Sequence, residues 1–167
     1  MSSTMISRNT ACQLIRDHVT PLTPAVIPIE DALDVVLTEP LYSQLDVPPF
    51  NKSAMDGYAI AKGETSMLLR VVATIKAGMP ATSIIALGTT VKIMTGAPVP
   101  ENTARVEKIE NVIIKDAGMV GISSLTGSSN ICKQGEDIPA GSLLYDRGER
   151  LTPLKIANAL SCGTRYI

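Results

Sequence analysis

DVPPFNKSAMDGYAI, residues 46–60, is the least ordinary stretch of this 167-residue chain. Within fifteen residues it holds the only Phe, a proline pair, a serine, an Asp-Gly step and a tyrosine. Prolines stiffen a loop and reduce the entropy lost on ordering it, which suits a loop that presents Ser53 and Asp56 to something. The same residues also read as a Pro-rich turn followed by an Asp-Gly turn into a strand. A second stretch, KIMTGAPVP at 92–100, runs from a strand into a small-residue turn and two prolines that cannot continue a ladder. Thr95 stands at the end of that strand, and Gly96 lets a ligand or another backbone come close.

Around these stretches the period is that of strands. Residues 67–75 are rich in β-formers and close on Gly78 and Pro80. Residues 89–94 alternate, with Val91 and Ile93 on one face. Residues 105–112 alternate as well, with the charges on the face opposite the apolar residues, the pattern of a solvated side. Segments 112–114 and 119–122 flank Lys115-Asp116-Ala117-Gly118, a hairpin signal. Residues 41–47 and 142–145 read as further strands.

Helical spacing lies toward the ends. Ser7 is an N-cap for a helix with Ala11, Leu14, Ile15, His18 and Val19 on one face, ended by Pro21. His18 then sits packed or half-buried on the apolar stripe, with no second histidine to join it in a metal site. The spacing predicts a second helix over 30–37, after Pro28 and before Pro40. A last helix follows Thr152-Pro153, carries Leu154, Ala157 and Leu160 on one face, and is capped by Gly163. The expectation is a mainly β chain with a few helices (α+β). Its two ends, 1–46 and 133–167, form one discontinuous helix-containing domain around an inserted β-rich domain at 47–132.

Composition limits the chemistry. Ile, Val and Leu total 44, against four Tyr, one Phe and no Trp, so the core is aliphatic. With 15 basic and 16 acidic residues, the net charge of -1 supplies no field for nucleic acid or an anionic membrane. Cys12, Cys132 and Cys162 form no CxxC pair and fit a reducing cytoplasm. No run of about 18 apolar residues occurs, and the N-terminal residues lack the basic and apolar regions of a signal peptide.

The order of blocks is more specific than any one of them. DVPPFNKSAMDGYAI is followed by Ala77-Gly78, GTTVKIMTGAPVP at 88–100, GEDIPAG at 135–141 and GERLTPLKIANALSCG at 148–163. This series resembles the molybdopterin molybdenumtransferase family, that is, MoeA and the C-terminal domain of gephyrin, over its first and second domains. The resemblance implies twisted and bifurcated β-sheets inserted into a small α/β domain, and a homodimer. It also implies a cleft completed by a third domain, in which molybdate is inserted into molybdopterin with magnesium assisting. Carried over, the cleft-facing residues are Ser53, Asp56, Thr95, Gly96, Glu110 and Asp137. Asp56, Thr95 and Asp137 are the catalytic candidates. Ser53, Asp56, Gly96 and Glu110 are the cofactor-binding candidates, and Asp56 is the candidate magnesium ligand.

There are departures from that pattern. Asn51 stands where the family often has an acid, Asp34-Val35 replaces a common Gly-Arg, and Asn102-Thr103-Ala104-Arg105-Val106-Glu107 replaces a run such as Gly-Ala-Asp-Ala-Val-Val. The sequence ends where the third domain would begin. Two expectations follow: a cleft wall that needs a separate third-domain or full-length partner for activity, or a non-catalytic binding or dimerisation module. A fragment of a longer enzyme would read the same way. The apolar stripe of the first helix is expected to dock in a homodimer or to fold back onto the chain.

Overall fold

The computed structural model describes residues 5–80 and 84–167. Helix α1 spans Arg8–His18, followed by a 3-10 turn at Ile29–Asp31. The strands in order are β1 (Leu41–Tyr42), β2 (Lys52–Ser53), β3 (Gly57–Ala61), β4 (Leu68–Ile75) and β5 (Thr89–Ile93). After them come β6 (Thr103–Lys108), β7 (Val112–Ile114), β8 (Met119–Ile122), β9 (Ile131–Cys132) and β10 (Leu143–Tyr145). Helix α2 covers Pro153–Ser161.

Six strands make one mixed sheet in the order β6-β3-β5-β4-β8-β7, with β4 and β5 parallel and the other neighbours antiparallel. Strand β3 is buried along its whole length, so it reads as a short continuous apolar run. Ala59 and Ala61 face a core cluster with Ile75, Val91, Ile93 and Val106. Tyr58 and Ile60 face a second cluster with Leu69, Val120 and Ile122 on the other side. Strand β4 alternates as expected: Leu69 and Ile75 are buried while Leu68, Arg70 and Val72 are exposed.

A third cluster, built on Ile29, Ala32, Leu37, Leu151 and Ala159, joins residues from both ends of the chain. Each fully buried Ile or Leu of this kind contributes roughly 1.5–3 kcal/mol. β1 pairs with β10 beside it. Helix α2 starts at Thr152, whose hydroxyl accepts from the Lys155 amide. It ends in a Schellman motif, with Thr164 N donating to Ala159 O at 3.0 Å and Gly163 N to Leu160 O at 3.1 Å. Gly163 is obligatory there: its φ is +93°, and a Cβ would lie 2.8 Å from Leu45 Cγ.

Four expectations are corrected. No helix forms over 30–37. Asp34 adopts φ +63°, its amide binds Leu151 O and Leu151 N binds Val35 O, so long-range pairing replaces helical bonds and Ala32 and Leu37 reach the core from turns. Helix α1 has Ser7 as its cap but buries no residue, so of its two expected outcomes the fold-back onto the chain is overturned; Leu14, Ile15 and Val19 are exposed. His18 is also exposed, its Nδ1 lying 2.7 Å from Leu14 O. The fourth concerns β6. Arg105 and Glu107 are buried, 7% and 3% exposed, and pair with each other instead of facing solvent. The loop at 123–130 covers that face, and the Arg105 Nη1 group donates to Ser124 O and Thr126 O at 3.0 and 2.7 Å.

Candidate functional site

The 46–60 segment lies between two others. On one side, Ser53 N donates to Ala97 O at 2.9 Å, Gly96 N to Ser53 O at 2.8 Å and Val99 N to Asn51 O at 3.0 Å. On the other side β2 pairs with β9, Ala54 N donates to Asn130 O, and Gly135 N donates to Pro48 O. Val47 and Ile138 exchange backbone bonds, and Asp137 N also donates to Val47 O at 3.0 Å. The three sequence blocks therefore meet through main-chain contacts, with the proline-stiffened block in the middle.

Asp56 follows this clamp and is exposed. Its Oδ1 accepts from Thr95 N at 2.7 Å and from Thr95 Oγ1 at 2.8 Å. Oδ2 makes no hydrogen bond among the described residues. The Thr95 amide, the Thr95 hydroxyl and the charge of Lys92 hold the Asp56 carboxyl below the usual carboxylate range, against the opposing effect of desolvation. The result is a fixed, ionised carboxylate with one oxygen turned outward. Gly96 has φ +79°, which lets the chain turn directly after Thr95 and sends its amide to Ser53.

The remaining candidates have different surroundings. Ser53 is 1% exposed, and its hydroxyl donates to Met55 O at 2.6 Å, closing the turn before Asp56. Asp137 and Glu110 are exposed. Glu110 lies in a 3-10 turn, Ile109–Asn111, whose first amide donates to Asp56 O at 3.0 Å. Asn51 Oδ1 accepts from Gln134 N at 2.8 Å, so at this position the side chain ties the first block to the residue just before GEDIPAG without a charge. Sequence reading missed Asp46. Its Oδ1 accepts from Ala140 N at 2.8 Å and its Oδ2 from Gln134 Nε2 at 2.7 Å, and the Ala140 amide bond, then the Gln134 bond, lower its carboxyl. The only signal for Asp46 was its place at the head of the block.

Among the described residues no group of three or more His, Cys, Asp or Glu could hold a metal ion. Magnesium keeps several waters and takes one or two carboxylates together with phosphates. Asp56 Oδ2 fits the part of one such ligand.

The arrangement has close relatives. Residues 6–163 match the profile described as "MoeA N-terminal region (domain I and II)". The chain belongs to this MoeA N-terminal-region family. It is 32% identical over 146 residues to a molybdopterin molybdenumtransferase of Haemophilus influenzae, covering 86% of this chain and 36% of that one. It is 30% identical over 169 residues to a molybdopterin molybdenumtransferase of Synechococcus elongatus, covering 95% and 42%. A crystal structure of the molybdopterin biosynthesis MoeA protein from Pyrococcus horikoshii superposes with TM-score 0.82 at 27% identity, over 98% of this chain and 44% of that one. The α+β fold, mostly strands with two helices and a mixed sheet, is thus the MoeA N-terminal fold. The chain spans less than half the length of these relatives. No helix among the described residues is long and apolar enough to cross a membrane.

Proposed function

We propose that this chain serves molybdenum cofactor biosynthesis as the first and second domains of a molybdopterin molybdenumtransferase, forming one wall of the cleft for molybdopterin and molybdate. The reading rests on Asp56, an outward-facing carboxylate fixed by Thr95 where the three family blocks meet. When bound, magnesium would lower the repulsion among phosphate, dithiolene and molybdate. Asp56 Oδ2 supplies one ligand or orients a water, and Thr95 holds the carboxylate in place and ionised. Gly96 and Ser53 shape the turns on either side, while Glu110, in the turn whose first amide donates to Asp56 O, adds a second negative charge. A third-domain polypeptide or a full-length relative completes the site.

The test mixes the 167-residue chain with a third-domain polypeptide and measures molybdate insertion into molybdopterin. Activity in the mixture, none in either part alone, and its loss with Asp56→Asn is the expected result. If no such mixture is active and calorimetry detects no molybdopterin binding that Asp56→Ala weakens, the cleft-wall reading fails.

A second reading, a non-catalytic dimerisation module in the cytoplasm, is favoured by the apolar surface near the N-terminus. Leu14, Ile15 and Val19 of α1 are exposed, and an apolar groove of about 870 Å³ lined by Leu22, Val26, Val36, Leu41 and Ile167 lies beyond the helix. It predicts a homodimer by sedimentation, with Leu14→Asp/Ile15→Asp giving a folded monomer. A wild-type chain that sediments as a monomer at high micromolar concentration would rule it out.

A further inference from the structure

Four strands of the large sheet end together. Gly57 at the start of β3 pairs with Ile93 at the end of β5 and with Lys108 at the end of β6. Ile75, at the end of β4, lies beside Ile93. Residues that adjoin these four therefore gather at one end of the sheet. Asp56 comes just before Gly57, and Thr95 comes just after β5. The Ala77-Gly78 turn follows β4, and a Cβ on Gly96 would lie 3.9 Å from the Ala77 Cβ. That block of the family series thus packs beside Thr95 and Gly96.

Two lysines come with this arrangement. Lys76 is exposed at the start of the turn, next to Ile75, whose carbonyl accepts from Met94 N at 3.0 Å. One residue in from the end, Lys92 of β5 lies between Tyr58 of β3 and Thr74 of β4. Adjacent strands are about 4.8 Å apart and two residues of a strand span about 7 Å, so the four-carbon stem of Lys92 reaches the surroundings of Asp56. The two Thr95 bonds lower the Asp56 carboxyl most, and the charge of Lys92 adds to them. Neither lysine forms an ion pair among the described residues. Glu107, beyond Tyr58 in the same row, is taken by Arg105. Glu110 follows β6, on the far side of β3 from β4. The end of the sheet is therefore polarised, with carboxylates at β3 and β6 and unpaired cations at β5 and β4. Lys92 is half-buried, its stem held among neighbouring strands, so it has less freedom to lose on meeting a ligand. A held, unpaired ammonium near a carboxylate whose free oxygen faces outward suits a phosphate group, which lysine meets as a point charge.

We propose that Lys92, flanked by Lys76, receives the phosphate group of the cleft's substrate at the common end of β3, β5 and β4. The identity of that substrate rests on the cleft-wall reading, whereas the cationic site itself does not need it.

Amide 1H–15N NMR of the 167-residue chain tests this, without added divalent cation and at ionic strength held constant with chloride. Pyrophosphate is titrated in one arm and molybdopterin, with oxygen excluded, in the other. Saturable shifts at residues 76–78 and 92–96 are expected in at least one arm. Lys92→Gln, which keeps the stem and removes the charge, should weaken that binding about tenfold, while Lys92→Arg should hold it within about threefold of the wild type. Lys62→Ala, an exposed lysine past the opposite end of β3, leaves it unchanged. Saturation by pyrophosphate alone would uphold the cationic site and sink the cleft-wall reading. Molybdopterin binding that Lys92→Gln leaves intact would overturn the proposal and spare that reading. Shifts that saturate in neither arm, or that map away from these strand ends, would overturn it as well.

Discussion

Asp56 and Gly57 form one dipeptide with two separate duties. Read as sequence, Asp-Gly signals a turn. In the fold, Gly57 opens strand β3, and a Cβ there would lie 1.9 Å from Glu107 O on β6. A backbone carbonyl cannot swing aside as a side chain can, so the strands would have to separate. Gly57→Ala should therefore cost about 3 kcal/mol, at the upper end for overpacking, as measured by urea unfolding. Asp56 is tied to Thr95 by two bonds of unequal importance, the amide first and the hydroxyl second. Thr95→Val removes only the second, so the Asp56 carboxyl should titrate higher than in the wild type and still below the usual carboxylate range. Thr95→Ser should restore the wild-type value, and 13C NMR titration of the carboxyl carbon reads both. The sign for stability follows from the lowered pKa. The Thr95 hydroxyl's contribution is fully present above the unfolded-state pKa and is lost as pH falls through the folded one. The gap in stability between wild type and Thr95→Val should thus be constant near neutrality and close in acid.

Strand β6 is the element at which periodicity misleads. Alternating charges along Arg105-Val106-Glu107-Lys108 look like a wet face. Here the covering loop comes from residues 123–130, too far along the chain for any local window to anticipate. A buried ion pair stabilises little compared with apolar residues of similar size, but breaking one half leaves a charge unpaired. Arg105→Ala should accordingly lose about 3–5 kcal/mol in thermal or urea unfolding. The double variant Arg105→Ala/Glu107→Val installs the Ala and Val common in the resembled pattern and should recover most of that loss. If the two changes simply add, the pair is not coupled as the structure indicates. The 30–37 segment is a similar case. Its apolar residues have helical spacing, yet Asp34 takes a left-handed conformation because the neighbouring amides find partners around Leu151. Helix α2 was legible because its signals are local: Thr152, Pro153 and Gly163 cap it whatever surrounds it.

At the scale of the molecule, the ends of the chain share a core while the strands between them build a sheet with apolar clusters on both sides. Helix α1 joins none of these clusters and displays Leu14, Ile15 and Val19. Removing residues 1–20 should leave the unfolding midpoint of the remaining chain unchanged, because α1 buries nothing in this chain. The same deletion should abolish self-association if the helix is the contact between copies. Circular dichroism melts and sedimentation velocity separate the two effects.

What the sequence by itself determined was local or repeated in kind: the alternation of β4 and β5, the hairpin of β7 and β8, the capped helix α2, and the order of blocks that marks the family. Each depends on residues close together in the chain, or on a pattern specific enough to survive without neighbours. Only the tertiary structure decided that Ser53 closes a turn, that Asp56 is gripped by Thr95 thirty-nine residues away, and that Arg105 and Glu107 are buried. Those outcomes hang on which distant segment covers which face. Hydrogen-bond satisfaction and exclusion of water are properties of the assembled surroundings, and no spacing along one strand records them.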